Sequence, residues 1–293
     1  MLRVCLLAGL VALTGAPVSA QPPTPSLREQ AETGDVEAAY AYGYSLSFPE
    51  EGEPDTVTSL YWLARAADQD YPPANYMLGV LYRDGFGVDP DIDRARAFFE
   101  LAWQAGDPVA GHDLAELMLY DYDNEREEAV TLLESLLSDP EIGPLARLTL
   151  AETLMFDSEA EEDAIRAVML AGDVLTQQPD LVRAHYLIGI GAAEGYGGPV
   201  NHEAARTAWE AGAEASDSLA LMALADSWLD PEWGEPDPVE ALALYQLADE
   251  IGGTDTAEAT TALAASLAPD ALQRAASRRE AWMIRMGWDL ASD

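Results

Sequence analysis

Lysine is absent from the sequence, and cysteine occurs only once in its 293 residues. The single cysteine, Cys5, lies in the apolar stretch at the N-terminus, so a chain without that stretch contains no thiol. No intramolecular disulfide can form, even in a compartment that permits them. Stability must therefore come from packing, and a chain of this length can build a large apolar core.

Long hydrophobic runs are missing beyond the N-terminus. Residues 1–20 read MLRVCLLAGLVALTGAPVSA, with one basic residue, an apolar run from Val4 to Leu13 and small residues before Gln21. This pattern predicts a secretory signal peptide cleaved after Ala20. The run is shorter than the roughly 20 residues that a membrane-spanning helix needs. We therefore expect an exported, periplasmic protein that does not span the membrane.

Positive charge is scarce. The chain has 15 basic residues, all arginine, against 53 acidic ones, for a formal net charge of -38 at pH 7. Nucleic acid and anionic lipid would be repelled by this charge, so neither is an expected partner. Two explanations of the acidity stay open, which are solvation in a saline medium and recognition of a basic partner.

Groups that commonly carry catalysis are few. Histidine occurs at His112, His185 and His202, in three separate segments, and this dispersion does not predict a shared metal site. The sequence contains no G-x-S-x-G stretch, and its carboxylates are too numerous for any pair to stand out. The sequence therefore predicts a protein that is not an enzyme, with no cofactor and no metal.

The stretch LGVLYRDGFGVDP, residues 78–90, contains two glycines that could belong to a phosphate-binding loop. Such a loop would follow a strand and would carry a Lys or a third glycine where the helix opens. Neither feature is present. We interpret Gly85 as the end of one helix and Gly87 as a turn residue, because both positions suit a positive φ.

The same loop contains carboxylates at the first, third, fifth and twelfth positions of a calcium-binding loop. They are Asp89, Asp91, Asp93 and Glu100. The position that requires glycine for its sharp turn is Arg94, which argues against a specific calcium site.

The glycine loop belongs to a repeat of about 36 residues. The pattern from Ala74 to Gly106 recurs without insertion from Ala220 to Gly252. Further copies begin at Ala38, Ala110, Ala146 and Ala184. Six units therefore run from roughly Gly34 to Gly252.

Apolar residues within a unit fall at spacings of three and four, which is a helical period. Each unit is therefore predicted to be a pair of antiparallel helices. In the unit that begins at Ala74, we expect helices over 73–83 and 92–105, with Gly106 ending the second. The small residues Gly79 and Ala102 would let the two helices approach closely.

The chain divides into four segments. These are a signal peptide over 1–20, a proline-rich linker over 21–26, the repeat solenoid over 27–252, and C-terminal capping helices over 253–293.

The repeat resembles the Sel1-like repeat, a subclass of the tetratricopeptide superfamily, over about three quarters of the chain. The positions that carry the resemblance are Ala74, Leu78, Gly79, Tyr82, Gly85, Gly87, Val88, Ala95, Phe98, Phe99, Ala102, Gly106 and Asp107. The stretch around Pro269 and Trp282 is similar to the helix that closes many of these proteins. The resemblance implies an all-α, right-handed α/α superhelical solenoid of about six units, used as an adaptor between proteins, often at the cell envelope. A cysteine-rich branch of the family interacts with β-lactams, but this chain lacks the paired cysteines of that branch.

The first helices of stacked units would line a concave groove, which is the default binding surface of a solenoid. The candidate groove residues are Tyr40, Tyr44, Tyr76, Arg83, His112, Tyr186 and Met222. Two alternatives stay open for the rings: they contact a partner, or they pack between units. Two also stay open for Arg83: it clamps a carboxylate of a ligand, or it forms an internal ion pair with Asp84 or Asp113.

The favoured interpretation is an adaptor that binds a protein or peptide of basic or apolar character, with a role in envelope signalling or cell-wall assembly. One alternative is a protein that binds cell-wall fragments or is a weak β-lactam-interacting enzyme. The other is a structural spacer.

Overall fold

The structure of the protein is a computed structural model that describes residues 26–121 and 125–288. The predicted signal peptide and residues 21–25 of the predicted linker lie outside the described residues. Within the described ranges the chain forms fifteen α-helices, one 3₁₀ turn and no β-strand. The predicted all-α solenoid class is confirmed. The helices are α1 (Leu27–Glu32), α2 (Val36–Ser47), α3 (Thr56–Ala67), α4 (Pro72–Asp84), α5 (Ile92–Gln104), α6 (Pro108–Asp121), α7 (Arg126–Leu136), α8 (Gly143–Phe156), α9 (Glu161–Gln177), α10 (Arg183–Glu194), α11 (His202–Glu214), α12 (Ser218–Leu229), α13 (Pro238–Ile251), α14 (Ala257–Ser266) and α15 (Pro269–Arg285).

The helices from α2 to α13 pack as six hairpins. Each hairpin corresponds to one repeat found in the sequence: α2 with α3, α4 with α5, α6 with α7, α8 with α9, α10 with α11, and α12 with α13. The second helix of each hairpin also packs against the first helix of the next. Each unit therefore buries its apolar faces against its neighbours, as repeat architectures require.

The turn between α4 and α5 shows why this loop contains glycine. Gly85 ends α4 in the left-handed region, at φ 69°, and a Cβ on it would lie 2.6 Å from Pro90 Cγ. The side chain of Asp91 then accepts a hydrogen bond from the backbone N–H of Arg94 and begins α5. The glycines are turn residues, and a carboxylate of the calcium-like spacing serves as a helix cap.

Small residues set the distance between paired helices. Phe99 of α5 is fully buried, and a Cβ on Gly79 of α4 would lie 2.6 Å from its ring. Only a residue without a side chain lets the two helices approach this closely. The buried apolar clusters continue along the stack from one unit to the next.

The two ends of the stack are covered by helices outside the six hairpins. At the N-terminal end, α1 packs on α2 and buries Ala31. At the C-terminal end, α15 packs on α13, and Trp282 is only 4% exposed. The indole Nε1 of Trp282 donates a hydrogen bond of 2.7 Å to Glu240 Oε1. Both terminal hairpins are therefore shielded from water on their outer faces.

Candidate functional site: the concave face

The first helices of the hairpins lie on the inner side of the stack. They contact one another across units, as α2 does with α4, α8 with α10, and α10 with α12. In the described part of the chain, no second helix approaches the next second helix as closely. The stack therefore curves with its first helices inside, and this concave face carries the candidate groove residues.

The predicted row of groove residues is largely packed between units. The rings of Tyr40, Tyr76 and Tyr186 are half-buried against the apolar clusters, as is the side chain of Met222. His112 is only 2% exposed and lies below the surface. The row therefore forms the floor of the concave face.

A continuous patch of aromatic side chains begins at Tyr40 in this row and extends past the end of α2 to the loop between α4 and α5. We define the aromatic patch as Tyr40, Tyr44, Phe48 and Phe86. Successive ring centroids lie 6.2, 5.2 and 5.9 Å apart along this order. The last three rings are 43%, 41% and 49% exposed. The rings contact one another and still present large apolar areas to solvent.

The sequence did not single out Phe48 and Phe86. Phe86 lies in the loop between two glycines, and only the stacking of hairpins places its ring beside Phe48. A signal existed for Phe48, because Tyr120 and Phe156 occupy the equivalent repeat position and are 76% and 53% exposed.

Arg83 makes the internal ion pairs that the sequence suggested. Its Nε donates to Asp84 Oδ1 at 2.7 Å, and its Nη1 donates to Asp113 Oδ2 at 3.1 Å. The hydroxyl of Tyr76 donates to the same Asp113 oxygen, also at 3.1 Å. Burial and the nearby carboxylate raise the pKa of the Tyr76 hydroxyl, so the ring remains a neutral donor. This network joins α4 to α6 across the face.

His112 lies next to two carboxylates of α6. Its Nδ1 is 3.7 Å from Asp113 Oδ1 and 3.9 Å from Glu116 Oε2, and its Nε2 is 2.9 Å from Thr149 Oγ1 on α8. His112, Asp113 and Glu116 each offer one atom of a kind that binds metal ions, and these three atoms all lie within 4.8 Å of one another. Within the described ranges, no other group of three or more His, Cys, Asp or Glu side chains comes together in this way. The cluster faces the same part of the concave surface as Arg83.

Carboxylates continue along the face beyond α6. Burial raises the pKa of Glu152 on α8, an effect that Arg183 opposes from 3.9 Å. Burial also raises the pKa of Asp226 on α12, which accepts a hydrogen bond from the hydroxyl of Tyr245. The inner surface is therefore acidic along most of its length, with few basic groups of its own.

Glu152→Gln is expected to stabilise the protein at pH 7 and to have no such effect at acidic pH. The folded-state pKa of Glu152 is raised, so the contribution of this group to stability is fully present below the ordinary glutamate value of 4.5 and is lost as the pH rises through the folded pKa. Its acidic neighbours Asp217 and Glu116 act in the same direction as burial. The amide of the variant does not titrate, so the gain should grow with pH.

Urea unfolding at pH 4 and pH 7 would measure this difference. Glu141→Gln, on an exposed loop, gives the baseline for removing one carboxylate. An equal gain at both pH values would contradict burial as the cause.

These features define a helical-repeat solenoid with an acidic and aromatic inner surface. The family model described as Sel1 repeat matches residues 36–71, 72–107 and 218–248, which are the first, second and sixth hairpins. Three of the six hairpins therefore match the Sel1 repeat, and the resemblance noted in the sequence is confirmed. Sel1 repeats generally mediate protein–protein interaction, and the family is typically a non-enzymatic scaffold.

Two of the solved structures that this chain is similar to illustrate the shared fold. One is c5321, a protective antigen of uropathogenic Escherichia coli strains that displays an SLR fold, with a TM-score of 0.71 and 20% identity over 89% of this chain and 56% of that chain. The other is a Sel1 repeat protein from Oxalobacter formigenes, with a TM-score of 0.60 and 21% identity over 75% of this chain and 89% of that chain. The protein thus spans little more than half the length of c5321, and identities this low show a shared fold alone.

No curated protein matches the sequence. Among the helices that the structure describes, none combines the length and the apolar character needed to cross a membrane.

Proposed function

We propose that the protein is an exported, periplasmic adaptor that binds a protein segment of basic and apolar character along its concave face, in envelope signalling or cell-wall assembly. The observation that carries this proposal is the aromatic patch, which exposes apolar rings from the concave face at Tyr40 to the loop ends of α2 and α4.

The patch offers an apolar anchor site. The exposed rings of Tyr44, Phe48 and Phe86 touch one another, so a partner could cover them together and remove their apolar area from water. Aromatic rings are rigid and lose little side-chain entropy on binding, which favours their use as contact residues. A leucine or an aromatic side chain of an extended peptide suits such a surface.

Carboxylates next to the patch favour a basic partner. The loop that follows Phe48 exposes Glu50, Glu51 and Glu53, and Asp107 acts electrostatically on Tyr40. A lysine or arginine beside the apolar anchor would meet both negative charge and the faces of the rings. The formal net charge of -38 would also attract such a partner from a distance, to an extent that falls with salt.

Substituting the three exposed rings together is expected to abolish capture of the partner. Tyr44→Ser, Phe48→Ser and Phe86→Ser remove the anchor site, and because all three rings are partly exposed the core should remain intact. We expect recovery of crosslinked partner from native envelope extract to fall at least about tenfold, as for central anchor residues of an interface. In a parallel capture without the crosslinker, washing at high salt should release the wild-type complex in part.

The matched control removes apolar side chains from the second helices that are at least as exposed as those of the patch. Val57, Tyr61 and Leu101 are 79%, 57% and 49% exposed, and their substitution by Ser should leave capture unchanged. Circular dichroism checks that both triple variants keep their helices. If the patch variant retains the same partners in the same amounts, the concave anchor site is refuted.

The mass of the captured chain also shows whether it begins at Gln21.

A further inference from the structure

We propose that His112, Asp113 and Glu116 bind a divalent transition-metal ion of the zinc class. This inference goes beyond the proposed adaptor function and does not depend on it. The sequence argument considered a site shared by several histidines, and these are dispersed along the chain. The proposed site uses one histidine only, together with two carboxylates of the same helix. His112 and Glu116 are four residues apart on α6 and share one of its faces.

The imidazole is fixed with one nitrogen directed at the carboxylates. His112 is 2% exposed, and its Nε2 lies within hydrogen-bond distance of Thr149 Oγ1. Its Nδ1 is 3.7 and 3.9 Å from the two carboxylate oxygens, which is beyond hydrogen-bond distance. When Nε2 carries the proton, the lone pair of Nδ1 faces two oxygens that cannot donate to it. A metal ion bridging the three atoms would resolve this arrangement.

The spacing of the three atoms suits a metal ion with small side-chain adjustments. Zinc lies about 2.0 to 2.2 Å from nitrogen and oxygen ligands, so ligand atoms within 4.8 Å of one another can converge on one ion. Glu116 is partly exposed and free to make this movement, since its side chain is 40% exposed.

Outer hydrogen bonds orient the buried parts of the site. Asp113 Oδ2 accepts from both Tyr76 and Arg83, which leaves Oδ1 directed at His112. The Nε2 of His112, which is the nitrogen remote from the carboxylates, lies within hydrogen-bond distance of Thr149 Oγ1. Such partners on the outer side of each ligand are a regular feature of metal sites, because they fix the ring orientation and the tautomer.

The local charge and the access path also suit a dication. Asp84, Asp113 and Glu116 contribute three carboxylates, against the single guanidinium of Arg83. A cavity of about 380 Å³ opens beside these residues, so an ion and its water ligands can enter from the concave face. The Arg83 guanidinium binds the opposite oxygen of Asp113 and therefore does not block Oδ1.

The donor set selects the class of metal. One imidazole nitrogen with two carboxylates suits zinc and its neighbours, whereas calcium and magnesium prefer oxygen ligands alone. Calcium would instead associate diffusely with the many surface carboxylates. An excess of Ca²⁺ therefore occupies these carboxylates and leaves the specific binding of Zn²⁺ to be measured.

Titration calorimetry with Zn²⁺ in excess Ca²⁺ tests the proposal on the purified protein. We expect one saturable equivalent of Zn²⁺, and at least about tenfold weaker binding in Glu116→Gln. The control Glu128→Gln removes an exposed carboxylate elsewhere and should leave the affinity unchanged. The absence of saturable binding, or an equal effect of the two substitutions, would overturn the site.

A second measurement follows the imidazole nitrogens directly. In a long-range ¹⁵N–¹H spectrum of the histidines, Zn²⁺ should shift Nδ1 of His112, while His185 and His202 serve as internal controls. Unchanged His112 signals at saturating Zn²⁺ would also refute the assignment, even if the ion binds elsewhere.

Discussion

Gly189→Ala is expected to lower the free energy of unfolding by about 2 to 3 kcal/mol, although alanine is the better helix former. A Cβ on Gly189 of α10 would lie 2.1 Å from Nε1 of Trp209 on α11. The indole is 5% exposed, and its Nε1 donates a hydrogen bond of 3.1 Å to the carbonyl of Tyr186. Its ring also stacks against Trp233 at 5.4 Å. The ring therefore cannot move away without losing these contacts.

Gly172→Ala is the matched control. Gly172 lies within α9, and a Cβ on it would meet nothing within 4 Å. Here the substitution should stabilise the protein by about 0.5 to 1 kcal/mol, because alanine loses less backbone entropy on helix formation than glycine. Urea unfolding followed by circular dichroism measures both variants. Similar effects of the two substitutions would show that the contact with Trp209 is not what requires glycine at 189.

Trp282→Ala is expected to cost about 3 to 5 kcal/mol, the usual range for removing a buried aromatic ring. Trp282 packs into the cluster of the last hairpin, and its loss leaves the Glu240 carboxylate without the indole donor. The guanidinium of Arg285, 3.8 Å from the ring centroid, loses its aromatic surface as well. The substitution should also loosen α15 and expose the apolar face of α13 to water.

Ile284→Ala on the same helix separates burial from a general effect on α15. Ile284 is 64% exposed, so its truncation should change stability by less than about 0.5 kcal/mol. Thermal unfolding gives the stability difference, and light scattering detects association through the uncovered end. A Trp282→Ala variant as stable as Ile284→Ala would mean that α15 does not close the stack.

The residues of these two stability predictions are separate from those of the aromatic patch. Gly189 lies between two paired helices and Trp282 at the C-terminal end of the stack, whereas Phe48 and Phe86 are exposed at the loop ends of the first two hairpins. Substitutions at the two sets should therefore affect stability and partner binding independently.

The helical repeat could be predicted from the sequence because its signals are local. The spacing of apolar residues and the glycine at 85 fix where a helix runs and ends, since backbone hydrogen bonds join residues four apart. The helices predicted over 73–83 and 92–105 are observed at Pro72–Asp84 and Ile92–Gln104. The internal ion pair of Arg83 was also one of two predicted alternatives, because both carboxylates lie one repeat or less away along the chain.

The surface that the proposals rest on was decided by tertiary structure. Phe48 and Phe86 belong to different hairpins, and their contact depends on how one hairpin is rotated against the next. His112, Asp113 and Glu116 share α6, but only the stacking of the hairpins places Thr149 of α8 within hydrogen-bond distance of the His112 Nε2. By itself the sequence determined the helical hairpins, their order and their acidity. The stacking geometry, which arises from packing between residues about one repeat apart, decided which side chains meet and which remain exposed.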